Sequence, residues 1–167
     1  MKKTLFLVFL AILLVASAAA AAEPIKIGKL AALTGSGATW GEHYKNVSIL
    51  AVEEINAKGG LLGRPVELIV YDTKGRAEDT VNAARRMLLQ DKVVAIAGTN
   101  YSGLQIAMRP ISEQYKVPIM ATSATNPAVT VDPEKGTPYP YSFRICFTDP
   151  YQGKIMAEFL ANNLKLK

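Results

Sequence analysis

Three short loops rich in hydroxyl and amide groups each follow an apolar run long enough for one buried strand. The loops are residues 34–41, 98–103 and 122–127, and the runs before them are 25–33, 93–97 and 117–121. In a parallel α/β sheet, ligands bind just beyond the carboxyl ends of the strands, where such loops offer backbone N–H groups and small polar side chains. The three loops therefore predict one pocket for a small polar ligand.

The segments between these loops alternate between strand and helix patterns. Helices are expected over about 42–58, 77–90 and 102–115, and a further strand over 65–72. Strands alternating with helices of this length favour right-handed βαβ units. The fold class is therefore predicted to be α/β, with a parallel, doubly wound, Rossmann-like sheet.

Apolar spacing also predicts which face of the first helix is buried. Val47, Leu50, Ala51 and Ile55 recur at helical intervals and would face the sheet. Two glycines directly after Lys58 mark the end of this helix.

The first 22 residues have the composition of a secretory signal peptide. Lys2 and Lys3 precede an apolar core over 5–15, and a tail of small residues ends at Ala22. The core is shorter than the roughly 20 apolar residues of a membrane anchor. The sequence thus predicts cleavage before Glu23 and an exported mature chain.

The charge of the chain bears on nucleic-acid binding, and its cysteine content bears on disulfide formation. The chain has 19 Lys and Arg against 14 Asp and Glu, and without Lys2 and Lys3 the balance is 17 against 14, a net charge of +3. The basic residues are scattered rather than gathered on one face, which disfavours a nucleic-acid partner. Cys146 is the only cysteine, so no internal disulfide forms, and a buried small hydrophobe is the expected role.

Glycines near the first loop raise a dinucleotide-binding alternative. Gly35 and Gly37 open a helix, and Asp72 ends the next strand, as the acid that holds a ribose would. The next glycine is Gly41, one residue too far for the G-x-G-x-x-G spacing. This alternative is therefore placed second.

Enzyme chemistry finds little support in the side chains. The nucleophile motif G-x-S-x-G is absent, and no His or Cys spacing suits a metal. His43 is the only histidine and is expected to be solvated beside Glu42. Glu53 and Glu54 point in different directions on a helix, so they do not form a carboxylate pair. No enzymatic activity, cofactor or metal is predicted.

Segments in a known family order run through nearly the whole mature chain. They are residues 25–28, 33–35, 40–41, 51–60, 63–65, 70–72, 101–102, 123–127, 143–144 and 152–153. With these segments the chain resembles the periplasmic binding proteins for branched-chain amino acids, which serve ABC importers and have the type I bilobal fold. Residues 51–60 and 123–127 are the most specific parts of the match.

The resemblance implies a site for an amino acid. Its members would be Trp40, Tyr101, Ser102, Ser123, Ala124 and Thr125. Ser102 would bind the ligand carboxylate through its hydroxyl and N–H, and Thr125 would hold it from the other side. The Ser123 carbonyl and the Thr125 hydroxyl would receive the α-ammonium, while Trp40 would line the side-chain pocket. From spacing alone, Ser102 and Thr125 could equally be a cap and a turn residue that are satisfied locally.

The resemblance also implies how the chain is divided and what it works with. Residues 1–22 would be the signal peptide, 23–148 the first lobe, and 149–167 the crossover and first helix of a second lobe, so the chain looks like an amino-terminal fragment. The partners would be an amino acid and an inner-membrane ABC permease, in the periplasm, with no nucleic acid. The alternative is a ligand-binding sensory domain of the same fold. A dinucleotide-binding enzyme domain is less favoured.

Overall fold

The computed structural model describes residues 23–166, so the predicted signal peptide lies outside the described residues. The regular elements are β1 (Ile25–Ala31), α1 (Ala38–Ala57), β2 (Val66–Asp72), α2 (Ala77–Arg86), β3 (Ala95–Ala97), α3 (Ser102–Tyr115), β4 (Ile119–Ala121), β5 (Ser142–Arg144) and α4 (Asp149–Glu158). Short 3₁₀ turns lie at Gly35–Gly37 and Pro127–Val129, and wider helical turns extend α2 over Met87–Asp91 and α4 over Phe159–Asn163. The predicted alternation of strands and helices is confirmed.

All five strands are parallel and form one sheet in the order β2-β1-β3-β4-β5. Successive residues of a strand point to opposite faces. Leu30 packs with Ala84 of α2 and Met108 of α3 in the main core, whereas the neighbouring Lys29 lies beneath Tyr44 of α1. Helices therefore cover both faces, and the predicted doubly wound sheet is confirmed.

Helix α1 packs through a different face from the one predicted. Val47 and Leu50 are 65% and 55% exposed, and Ala51 is also exposed, so only Ile55 of the predicted set is partly buried. The partly buried face instead carries Tyr44 and Ser48 along with apolar side chains. Because two residues of that face carry hydroxyl groups, a search for apolar residues at helical spacing does not identify it.

The start of α1 lies very close to the exit of β1. The helix begins at Ala38, four residues before the predicted start, and Gly41 meets the backbone there. A Cβ on Gly41 would lie 1.8 Å from the Ala32 carbonyl oxygen, so a side chain at this position is excluded. At the other end, the Asn56 amide exchanges hydrogen bonds of 2.8 and 2.7 Å with the Val66 backbone.

Helix α4 extends from the rest of the fold with every described side chain exposed. Its apolar residues border an open groove of about 390 Å³. The groove is lined by Phe147, Tyr151, Gln152, Ile155, Met156 and Phe159. No helix within residues 23–166 is long and apolar enough to cross a membrane.

Cys146 is less enclosed than predicted. Its side chain is only partly buried, and its Sγ donates to the Ala124 carbonyl at 3.5 Å. The expectation of a buried small hydrophobe was therefore wrong, because Cys146 lies after β5 has ended, beside exposed Ile145 and Phe147.

Candidate functional site

The loops after β1, β3 and β4 meet at the carboxyl edge of the sheet. Strands β1 and β3 are neighbours, and the chain leaves β1 toward β2 on one side but leaves β3 toward β4 on the other. In open α/β sheets such a reversal of strand order opens a crevice at the carboxyl ends. The candidate site lies at this point.

Hydroxyl groups join the loop after β3 to the loop after β4. The Ser123 hydroxyl donates to the Asn100 carbonyl at 3.3 Å, and the Thr122 hydroxyl donates to the Thr99 carbonyl at 3.4 Å. Tyr44 crosses from α1 and donates its hydroxyl to Ser123 Oγ at 3.1 Å. Tyr44 was not expected at the site, because it comes from an element distant in sequence.

Ser102 begins α3, where the first backbone N–H groups have no partner within the helix. Its hydroxyl accepts a hydrogen bond of 3.3 Å from the Asn126 N–H, which brings the start of α3 against the loop after β4. The carbonyl of Thr125 accepts from the Asp149 N–H at 3.1 Å. Within residues 23–166 the Thr125 hydroxyl makes no hydrogen bond, so it remains available to a ligand.

Ser102, Ser123 and Thr125 are therefore brought together, but Ala124 differs. Its side chain is fully buried in a small apolar cluster with Ala121 and Val129. Its carbonyl accepts from Arg144 Nη1 at 3.2 Å as well as from Cys146. Neither group of Ala124 faces the crevice freely.

Arg144 from β5 holds the loop after β4 in place. In addition to its bond to Ala124, Nη2 donates to the carbonyls of Asn126 and Pro127 at 3.0 and 2.9 Å and to the Thr130 hydroxyl at 2.7 Å. The guanidinium thus fixes the backbone on either side of Thr125. Sequence reasoning missed this role because Arg144 is distant in the chain and no local pattern links it to the loop.

The two aromatic candidates occupy different places. Tyr101 lies over the exit of β1, where a Cβ on Gly37 would come within 2.7 Å of its hydroxyl oxygen. It borders a groove of about 320 Å³. Trp40 is 61% exposed and makes an edge-on contact with His43, with ring centroids 6.1 Å apart. Trp40 thus presents a largely exposed indole in the first turn of α1, directly after the loop that follows β1.

Gly98, the first residue after β3, is confined from two sides. Lys29 Nζ donates to its carbonyl at 3.2 Å. A Cβ on Gly98 would lie 2.3 Å from Oε1 of the fully buried Gln105, which itself accepts from the Thr99 N–H at 3.2 Å. Burial lowers the pKa of Lys29 to about 8, because a charged ammonium is costly to remove from water.

Asp72 accepts hydrogen bonds from the loop after β1 and so holds it in place. Its carboxylate accepts from the Leu33 N–H and the Lys74 N–H at 2.8 Å each and from the Thr34 hydroxyl at 2.6 Å. Burial alone would raise the pKa of Asp72, but these hydrogen bonds outweigh it and hold the pKa below its usual value. The carboxylate is thus already occupied by the protein, which disfavours a ribose-binding role.

No metal centre is formed in the part of the chain that the structure describes. There, no three His, Cys, Asp or Glu side chains gather closely enough to hold an ion. The chemistry that the crevice does offer is that of helix N–H groups, hydroxyls and carbonyls, which bind small charged groups through hydrogen bonds.

Comparison with known proteins shows which family has this sequence pattern. The sequence pattern of the family described as periplasmic binding protein matches residues 24–167. Leu/Ile/Val-binding protein homolog 2 of Brucella abortus is 33% identical over 165 residues, which are 99% of this chain and 43% of that protein. The chain therefore spans less than half the length of this relative.

Solved structures share the fold. The branched-chain amino acid transporter substrate binding protein LivJ from Streptococcus pneumoniae, in complex with isoleucine, has a TM-score of 0.76 at 32% identity, over 86% of this chain and 39% of that one. A solute binding protein of an ABC transporter from Rhodopseudomonas palustris, in complex with 3,4-dihydroxybenzoic acid, has a TM-score of 0.71 at 26% identity, over 84% and 36%. Sequence and fold agree that the chain belongs to the periplasmic binding protein family.

Proposed function

We propose that this chain carries the first ligand-binding lobe of an extracytoplasmic solute-binding protein, which captures a branched-chain or related amino acid for an ABC importer. The observation that carries the proposal is the meeting of the α3 N-terminus with the loop that holds Thr125. That meeting gathers N–H groups and hydroxyls at one edge of the sheet. The relative from Brucella abortus and the isoleucine complex support the choice of ligand class.

The carboxylate of the ligand is assigned to Ser102 and Thr125. The start of α3 offers N–H groups and the positive end of the helix dipole, both of which favour an anion. The free Thr125 hydroxyl lies on the neighbouring loop. The same hydroxyl and the Ser123 carbonyl accept hydrogen bonds from the α-ammonium, which needs acceptors.

The side chain of the ligand is assigned to the aromatic residues Trp40 and Tyr101. Both retain exposed ring surface beside the crevice, and apolar contact there would favour aliphatic over polar ligands. Ala124 contributes by shaping the loop, because its side chain is buried and its carbonyl accepts from Arg144 and Cys146.

The remaining assignments follow from membership of the family. The protein would be exported to the periplasm by residues 1–22, would deliver its ligand to an inner-membrane permease and would catalyse no reaction. Residues 149–167 would begin a second lobe that closes over the ligand. A sensory domain of the same fold remains the alternative, and it would use the same crevice without a permease.

Calorimetry of the purified protein with leucine and 3-methylbutylamine, which is leucine without its carboxylate, tests the proposed function. Each hydrogen bond to a charged group contributes about 1.5–3 kcal/mol, so losing the carboxylate should weaken binding by at least roughly a hundredfold. Equal affinity for the amine would overturn the carboxylate site. If an aromatic acid such as 3,4-dihydroxybenzoic acid binds and leucine does not, the amino acid assignment is wrong.

A further inference from the structure

Lys29 is a buried cation without a counterion. Its side chain is 1% exposed, and no ion pair formed within residues 23–166 includes it. Its Nζ donates to the Gly98 carbonyl at 3.2 Å and lies 5.4 Å from the centroid of the Tyr44 ring. A buried ammonium without a carboxylate is unfavourable, so its presence calls for a physical reason.

The groups that surround Lys29 are the same ones that build the crevice. Gly98 leads directly into the loop that ends at Ser102, and Tyr44 donates its hydroxyl to Ser123. The carboxylate of Asp72, at the end of β2, accepts hydrogen bonds from Leu33, Thr34 and Lys74. Within residues 23–166 the positive charge of Lys29 is thus buried and has no carboxylate partner.

We propose that Lys29 supplies the positive charge that draws the carboxylate of the ligand into the crevice. This inference rests on the proposed function and adds to it a residue that does not touch the ligand. Because Lys29 is shielded from water, its field is weakened less than that of a surface lysine. The bound carboxylate then acts as its nearest counterion, so Lys29 favours anionic ligands over neutral ones of the same shape.

The ionisation of Lys29 agrees with this role. With a pKa of about 8, Lys29 is still protonated at pH 7. Tyr44 faces it from α1 and the Gly98 backbone faces it from the loop after β3, while Val70 occupies the paired position on β2. None of these groups is a carboxylate.

The test compares Lys29→Met with Lys26→Met, which removes the same charge from the amino end of β1, where Lys26 is partly exposed. The ligands are leucine and leucinamide, which differ in the charge of one group. Lys29→Met should weaken leucine binding about tenfold, which corresponds to 1.4 kcal/mol, and leave leucinamide binding unchanged. Lys26→Met should alter neither.

Each other outcome has a definite meaning. If Lys29→Met leaves leucine binding unchanged, or weakens leucine and leucinamide equally, the inference is overturned and the proposed function stands. If the wild-type protein binds no leucine, the proposed function fails and takes this inference with it. If Lys29→Met does not fold, NMR of ¹³C-labelled lysine in the wild-type protein decides: saturation with leucine should raise the Lys29 pKa, and an unchanged pKa overturns the inference.

Discussion

The ammonium of Lys29 opposes folding even though it forms a hydrogen bond. The pKa of Lys29 falls from 10.5 to about 8 in the folded chain, a difference that corresponds to about 3 kcal/mol. Losing the bond from this charged group to the Gly98 carbonyl costs about 1.5 kcal/mol in return. We therefore expect Lys29→Met to be more stable than the wild-type protein by about 1.5 kcal/mol at pH 7, as measured by urea unfolding.

The sign of the pH dependence follows from the lowered pKa. Below pH 8 the lysine is protonated in both the folded and the unfolded chain, so the full penalty is present. Between pH 8 and 10.5 the folded chain loses the proton first, and the wild-type protein gains stability relative to Lys29→Met. A wild-type protein that is more stable than the variant at pH 7 would show that the charge does not oppose folding.

The loops that carry Ser102, Ser123 and Thr125 could be predicted because each follows an apolar run in the sequence, whereas the choice of these three residues came from the family resemblance and stays a prediction. Their shared position depends only on the rule that parallel strands end at one edge. Tyr44, Lys29 and Arg144 could not be predicted in the same way. Each reaches the site from an element that is far away in sequence, and only the folded chain brings it near.

At the scale of elements, the hydrophobic period located the first three helices well and oriented one of them wrongly. Helix α1 carries more than one apolar stripe, and the pattern selects the stripe with Val47 and Leu50. The face that packs includes Tyr44 and Ser48, whose hydroxyls bind Ser123 and the Tyr44 carbonyl. The bond from Tyr44 to Ser123 links this face of α1 to the loop after β4, and a hydrophobic pattern does not detect such a bond.

Close backbone contact also fixes α1, and this can be tested at Gly41. A Cβ there would lie 1.8 Å from the Ala32 carbonyl oxygen, so Gly41→Ala must displace the helix. Overpacking of this kind costs about 3 kcal/mol. Gly153→Ala in α4 is the matched control, because nothing lies within 4 Å of its Cβ. In thermal unfolding Gly41→Ala should melt well below the wild-type protein and Gly153→Ala should not; equal melting temperatures would disprove the contact.

At the scale of the whole molecule, strand order is what turns three separate loops into one site. Alternating elements predict a parallel sheet but do not say which strands are neighbours. The order β2-β1-β3-β4-β5 places β3 between β1 and β4, and that order unites the loops. The pairing of strands depends on contacts across the full chain, so no local sequence window contains it.

The most direct test of the binding site is to remove the hydroxyl groups at the carboxyl edge of the sheet and measure the affinity for leucine. In calorimetry with leucine, Ser102→Ala and Thr125→Ala should each weaken binding roughly tenfold to a hundredfold, because each leaves a charged group short of a hydrogen bond. The backbone N–H groups remain, so partial binding should persist. Thr137→Ala removes an exposed hydroxyl that makes no hydrogen bond to the crevice loops within residues 23–166, and it should change nothing. If all three variants bind leucine as tightly as the wild-type protein, the carboxyl edge is not the binding site.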